Sequence, residues 1–184
     1  YALSSDRKLI ENLYDGYSSI GCKYLTTCNY GFKPSRQANW LELTKKAVDI
    51  MQPFRNKDKY IFGCVPPFFN SYATTNINTE FCEFYKQLVA LLKGNVDYYL
   101  VETVASYDHA EKIVEIINSI DNSGRIIISL YPNDNNQVDS HKFTQLDVYG
   151  LFINCCDFET MKNFYLNHFH NKLEGKQFGF CCNK

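Results

Sequence analysis

The sequence predicts an α/β protein of the (β/α) TIM-type barrel class, incomplete, with about six of the eight strand-helix units of a closed barrel. Three observations carry this reading. Short β-branched and aromatic runs alternate with amphipathic helices of about a dozen residues, and such crossovers produce a parallel sheet covered by helices. No G-x-G-x-x-G or Walker turn follows any strand, so the usual phosphate-binding signatures of the rival open, doubly wound sheet are missing. The whole chain of 184 residues is long enough for one well-buried core and short for two, so residues 1–184 are expected to form one domain.

Ser5-Asp6 can cap a first helix whose apolar positions Leu9, Ile10, Leu13, Tyr17 and Ile20 keep helical spacing, and Gly21 is placed to end it. Lys23 to Cys28 follows as a strand, and Asn29 to Pro34 leads through a loop to a helix from about Asn39 to Met51. Tyr60 to Val65 is a buried strand stopped by Pro66-Pro67. Phe81, Phe84, Leu88, Leu91 and Leu92 mark the next helix, closed by Gly94. Asp97 to Glu102 is a strand, and Ile113, Ile116, Ile117 and Ile120 mark the helix after it. Ile126 to Leu130 is another strand, followed by a polar loop at Asn133-Asp134-Asn135-Asn136-Gln137. Val148 to Ile153, a helix through Phe158, Met161, Phe164 and Tyr165, and an aromatic strand from Gln177 to Cys182 complete the pattern.

Composition narrows the function. A formal net charge of -1, from 19 basic and 20 acidic residues spread along the chain, gives no basic stripe for nucleic acid or for an anionic membrane. The strongest apolar runs are strand-sized, far short of the roughly 20 residues that cross a bilayer, so no membrane insertion is expected. Eight cysteines, with vicinal pairs at Cys155-Cys156 and Cys181-Cys182, fit free or metal-bound thiols better than a disulfide framework. That points to an intracellular, cytoplasmic location, with an organelle left open. The opening Tyr1-Ala2-Leu3-Ser4-Ser5 carries neither methionine nor a basic-plus-apolar leader, which leaves open a removed segment and a start inside a longer protein.

In parallel α/β folds the chemistry gathers at the carboxyl ends of the strands. Here those ends are polar and sulfur-rich: Thr26-Thr27-Cys28-Asn29-Tyr30, Gly63-Cys64-Val65-Pro66, Glu102-Thr103, Ser129, Asn154-Cys155-Cys156 and Cys181-Cys182-Asn183. Three cysteines converging on zinc leave one coordination position in which a substrate thiol would be deprotonated and activated. Glu102 closes an apolar strand, where a carboxylate is costly to bury unless paired or bound to a ligand. Cys22, Cys28, Cys64, Cys82 and Cys156 read as packing residues. His168 and His170, near a helix end, read as a surface cap.

Taken in order, these segments resemble the homocysteine S-methyltransferases, zinc-dependent (β/α)8 barrels. Asp6 to Tyr30 is similar to the family's second strand with its Tyr-bearing loop, and Gly63-Cys64-Val65-Pro66-Pro67 to its G-S-V-G-P turn. Val96 to Thr103 resembles its G-A-D-L-L-x-x-E-T strand, and Ile153-Asn154-Cys155 its G-V-N-C metal strand. Phe178 to Asn183 is similar to the C-terminal G-G-C-C-G segment; by position, Gln177 to Asn183 also matches the preceding strand, which ends in Y-P-N. The family's opening strand, with its D-G-G or D-G-A signature, has no counterpart.

The resemblance implies that Cys155, Cys181 and Cys182 bind zinc, and that Glu102, Tyr30 and Thr27 bind the substrate, with Glu102 on the amino group of homocysteine. The implied reaction is methyl transfer from a small methyl donor to zinc-bound homocysteine thiolate, giving methionine. The alternative is a degenerate, noncatalytic barrel that serves as a structural subunit, with a protein partner covering its open edges.

Overall fold

The computed structural model describes residues 6–72, 76–132, 140–173 and 175–182. The Asn133 to Gln137 loop, Ser5 and Asn183 lie outside them. Helix α1 (Arg7–Ser19) starts at Asp6, whose carboxylate accepts the Leu9 N–H at 3.1 Å, and stops before Gly21 at φ +90°. Strand β1 (Tyr24–Thr26) is shorter than expected, since it pairs on one side only. Then follow α2 (Trp40–Met51), β2 (Tyr60–Val65), α3 (Thr79–Leu92), β3 (Tyr98–Val104), α4 (Tyr107–Ile120) and β4 (Ile126–Leu130). The short helix α5 (Ser140–Gln145), absent from the sequence reading, precedes β5 (Gly150–Asn154). Helix α6 (Phe158–Phe164) runs into a π-helical turn (Tyr165–Phe169), and β6 (Gln177–Cys181) closes the series. No helix among the described residues is long and apolar enough to cross a membrane.

The strands lie in chain order, β1-β2-β3-β4-β5-β6, every neighbouring pair parallel. An open doubly wound sheet reverses direction at a switch point; this one never does. Successive right-handed crossovers in one direction put all the helices on one face and leave the other to curl inward, so the chain is an incomplete TIM-type barrel.

Side-chain alternation sorts the two faces. Ile61, Val65, Val101, Ile128, Leu151 and Ile153 pack with Leu88, Val89, Ile113 and Ile117 into the core between sheet and helices. Phe62, Cys64 and Ile127 are buried outside that cluster, on the concave face. There the Phe62 ring lies 5.1 Å from Tyr24 and 5.5 Å from Tyr98, so an aromatic floor fills the half-barrel below the carboxyl ends of the strands.

Candidate functional site

Strand β3 breaks its regular pairing where the site begins. Val101 pairs with Ile128 but Val104 with Leu130, which leaves one extra residue on β3. Within this bulge Thr103 adopts φ +55°, a conformation rare for a β-branched residue. In a regular strand Glu102 and Thr103 would face opposite sides of the sheet. Here both reach the mouth: Glu102 meets the Cys64 thiol, and Thr103 meets Tyr30 and Asn154.

Burial pushes the Glu102 carboxyl above its ordinary value, and the hydrogen bond from Cys64 opposes that rise. The fully buried Cys64 thiol is pushed well up, first by burial and then by the Glu102 charge, so it remains a proton donor. Glu102 also lines a small cavity with Pro66, Phe69, Asn70, Thr103 and His109.

A polar chain crosses the mouth beside it. The Tyr30 hydroxyl lies 2.8 Å from Ser71 Oγ and 3.2 Å from Thr103 Oγ1, and Asn154 Nδ2 donates to Thr103 Oγ1 at 3.0 Å. Cys155, just past β5, has φ +59°, and its sulfur hydrogen-bonds the Tyr72 hydroxyl. This bond pushes the Tyr72 phenol up. The Tyr72 ring lies against Tyr131 at 4.5 Å.

Thr27 has a different setting. Its hydroxyl donates to Asn29 Oδ1 at 2.6 Å and accepts the Cys64 N–H at 2.9 Å, while Asn29 Nδ2 donates to the Cys64 carbonyl at 2.9 Å. Thr27 therefore fixes β1 to β2 beneath the mouth, with its only donor engaged. Behind the loops the buried Lys33 ammonium donates to the carbonyls of Pro67 (3.0 Å) and Phe69, and burial pulls its pKa down. That clamp holds the β2–α3 loop that carries Ser71 and Tyr72. Neither Lys33 nor Asn154 had a role from sequence; the Ile153-Asn154-Cys155 run was the one available signal for the latter.

The three candidate metal ligands are not brought together. Cys155 N–H donates to the Cys181 carbonyl at 3.1 Å, so these two are neighbours across the β5–β6 edge, and Cys181 is exposed, in register with Asn154 on the concave side. Cys182, one residue on, turns to the helical side, where it packs against the core beside Cys156. Among the described residues no three His, Cys, Asp or Glu side chains are arranged to hold a metal ion. The donor set as it stands does not fit the zinc that the resemblance implies. Strand β6 pairs directly with β5, the placement that matches the Y-P-N strand of the resemblance. Cys22, Cys28 and Cys82 are partly buried against the core and Cys156 is buried in it, whereas buried Cys64 lies outside that cluster and hydrogen-bonds Glu102. His168 lies in the π-helical turn, its pKa lowered by burial and then by Lys172.

Compared with known proteins, the chain matches the sequence profile described as homocysteine S-methyltransferase over residues 1–182. The chain belongs to the homocysteine S-methyltransferase family. Its fold is similar to two crystal structures of the homocysteine methyltransferase MmuM from Escherichia coli. The metallated form has a TM-score of 0.74 at 16% identity, covering 100% of this chain and 83% of that one. The oxidized form has a TM-score of 0.70 at 17% identity, covering 100% and 82%. No curated protein sequence matches. At this identity the two structures establish the barrel fold, while the profile establishes the family.

Proposed function

We propose that the mouth of this half-barrel binds homocysteine and transfers to its sulfur a methyl group from a small donor, giving methionine. The observation that carries this reading is Glu102: a half-buried carboxylate, aimed into the mouth by a bulge, with a neutral thiol as its partner and no cation beside it among the described residues. Such a group is costly unless a ligand cation completes it, and the ammonium of an amino acid is a cation of suitable size.

With the ammonium on Glu102, Tyr30 and Thr103 line the adjacent wall and the substrate thiol extends along the mouth towards Cys155 and Tyr72. The aromatic floor keeps water from below, and holding the amino acid at one end orients its sulfur for in-line attack. In the transfer a new carbon–sulfur bond forms as the donor's bond to the methyl carbon breaks. The thiol proton leaves to solvent, and the donor's electron pair stays on its departing atom. Zinc, when bound in this family, lowers the pKa of the substrate thiol. In this chain Cys155 and Cys181 are backbone neighbours across the β5–β6 edge, and a complete site would need donors beyond those the described residues bring together.

Calorimetric titration of homocysteine into the purified chain, with zinc content measured by elemental mass spectrometry, tests the reading. Methionine is then sought by mass spectrometry with sulfonium and quaternary-ammonium methyl donors. Binding with turnover is expected; binding without turnover for any donor would favour the noncatalytic subunit, and no binding at all sinks the homocysteine reading.

A further inference from the structure

A cavity of about 540 Å³ opens outside the barrel mouth, between helices α2 and α3 and beside the β2–α3 loop. Its walls are aromatic: Trp40 at the start of α2, Phe84 on α3, and Phe68 with Phe69 on the loop. The rings form one series, with centroids 4.9 Å apart for Trp40–Phe84, 5.3 Å for Phe68–Phe84 and 4.4 Å for Phe68–Phe69. Trp40, Phe68 and Phe84 are buried, so the walls are fixed by the core, while Phe69 is 40% exposed and is the wall that solvent reaches most. Sites for small organic molecules have volumes of about 300–1,000 Å³ and linings of this apolar, aromatic kind. A ligand ring held here would cover Phe69 without moving the core.

The charge at the rim has one sign. Glu80 and Glu83 on α3 border the cavity, and no lysine or arginine is among the described residues that line it. Each carboxylate has an ordinary surface role as well: Glu80 lies in the first turn of α3, where it suits the helix dipole, and exposed Glu83 pairs with Lys86 at 2.8 Å. Neither role accounts for the aromatic cavity between them and α2. Aromatic faces attract organic cations, and carboxylates at the rim accept charge-assisted hydrogen bonds from an ammonium.

We infer that this groove is a binding site for a small aromatic amine in its ammonium form, with the ring among Trp40, Phe68 and Phe69 and the ammonium at Glu80 and Glu83. The site is separate from the mouth and does not depend on the methyl-transfer reading.

Trp40 is the only tryptophan of the chain, so its emission reports on this cavity. Three probes of nearly one size differ in charge: 2-phenylethylammonium, 2-phenylethanol and 3-phenylpropanoate. Each is titrated, with emission excited where tyrosine does not absorb, into the wild-type chain, Phe69→Ala and Glu80→Gln/Glu83→Gln. All three positions are exposed, and thermal melts check that the variants fold. In the wild type the ammonium should give a saturable change and bind about tenfold more tightly than the alcohol, with the carboxylate weakest. Glu80→Gln/Glu83→Gln should reduce that preference to at most about threefold and leave the alcohol within about twofold of its wild-type affinity. Phe69→Ala should weaken the ammonium and the alcohol alike, by about three- to tenfold. No saturable change from any probe overturns the inference, and so does equal binding of the three, since the cavity would then select no charge. A preference for the ammonium that survives the double variant undiminished overturns it too, because the cation is then held elsewhere.

Discussion

Glu102→Gln keeps the shape of the side chain and removes its charge, so it separates what the fold wants from what the ligand wants. Burial raises the Glu102 carboxyl above its ordinary value of 4.5, and the Cys64 hydrogen bond offsets part of that rise. A carboxyl whose folded pKa is raised stabilises the fold fully below its unfolded pKa, and that contribution is lost as pH rises through the folded value. Once the pH has risen through that folded value, the empty protein carries a half-buried charge with one weak donor. A buried polar group left incompletely paired costs on the order of 1–3 kcal/mol, so Glu102→Gln should add about 1–2 kcal/mol to the unfolding free energy. For a chain of this length that is a rise in Tm of roughly 2–8 °C. Homocysteine binding should move the other way, because removing one partner of a buried charge pair costs about 2–5 kcal/mol. Affinity then falls by a factor of roughly 30 to several thousand. Thermal melts of both proteins at pH 7.5 and pH 4.0, with and without homocysteine, measure all of this. The stability gap should close at pH 4.0, where wild-type Glu102 is protonated, and homocysteine should raise Tm in the wild type alone. A variant less stable at pH 7.5, or a gap that persists unchanged at pH 4.0, refutes the reasoning.

Two further outcomes follow from the same geometry. Native-state labelling with a thiol-reactive disulfide at pH 8 should modify exposed Cys181 first and leave Cys64 until unfolding; Cys156, pushed up to about 11 by burial and neighbouring negative charge, should also lag. Early labelling of Cys64, read by peptide mass spectrometry, contradicts the packing described. Gly63→Ala should destabilise by about 1–3 kcal/mol, since a Cβ there would lie 3.0 Å from Val96 Cγ1 and 3.2 Å from Leu92 Cδ1 in a filled layer. An unchanged unfolding midpoint in urea would show that this layer yields more easily than its packing implies.

Much of the fold was legible because its signals are local. The bounds of β2 and β4 follow the β-branched runs at Tyr60 to Val65 and Ile126 to Leu130, the first stopped by two prolines. Helix α5 escaped notice because Ser140–Gln145 spans under two turns and, of its apolar residues, buries Phe143 alone, too little to show a period. Strand β3 runs past Glu102 to Val104 because the expected strand end is a bulge inside the strand. In the site, Glu102 was legible since a carboxylate after an apolar run stands out, while Thr103 and Asn154 look like ordinary polar strand ends. Cys181-Cys182 stood out as a vicinal pair, but its geometry was not legible. Cys181 ends β6, exposed and in register with Asn154, while Cys182, the next residue, packs against the core, so the two sulfurs are not aimed at one point.

The alternation of side chains along a strand explains why the backbone is strained where it is. A parallel barrel offers each strand one inward side chain per level, yet this mouth uses Glu102 with Thr103 on β3, and Asn154 with Cys155 at the end of β5. Two consecutive residues can share a side only if the chain leaves the regular β conformation between them. Both pairs contain a non-glycine residue at positive φ, Thr103 at +55° and Cys155 at +59°. Each such residue costs of order 1–3 kcal/mol and persists only where its surroundings hold it. Glycine would adopt either conformation without strain, but it would remove the hydroxyl that joins Tyr30 to Asn154, or the thiol that meets Tyr72. The chain keeps the side chains and bears the strain, and with Asn171 these are the three described non-glycine residues at positive φ, two of them at the mouth. Both lie at the carboxyl ends of their strands, the end from which a parallel barrel presents its side chains to a site.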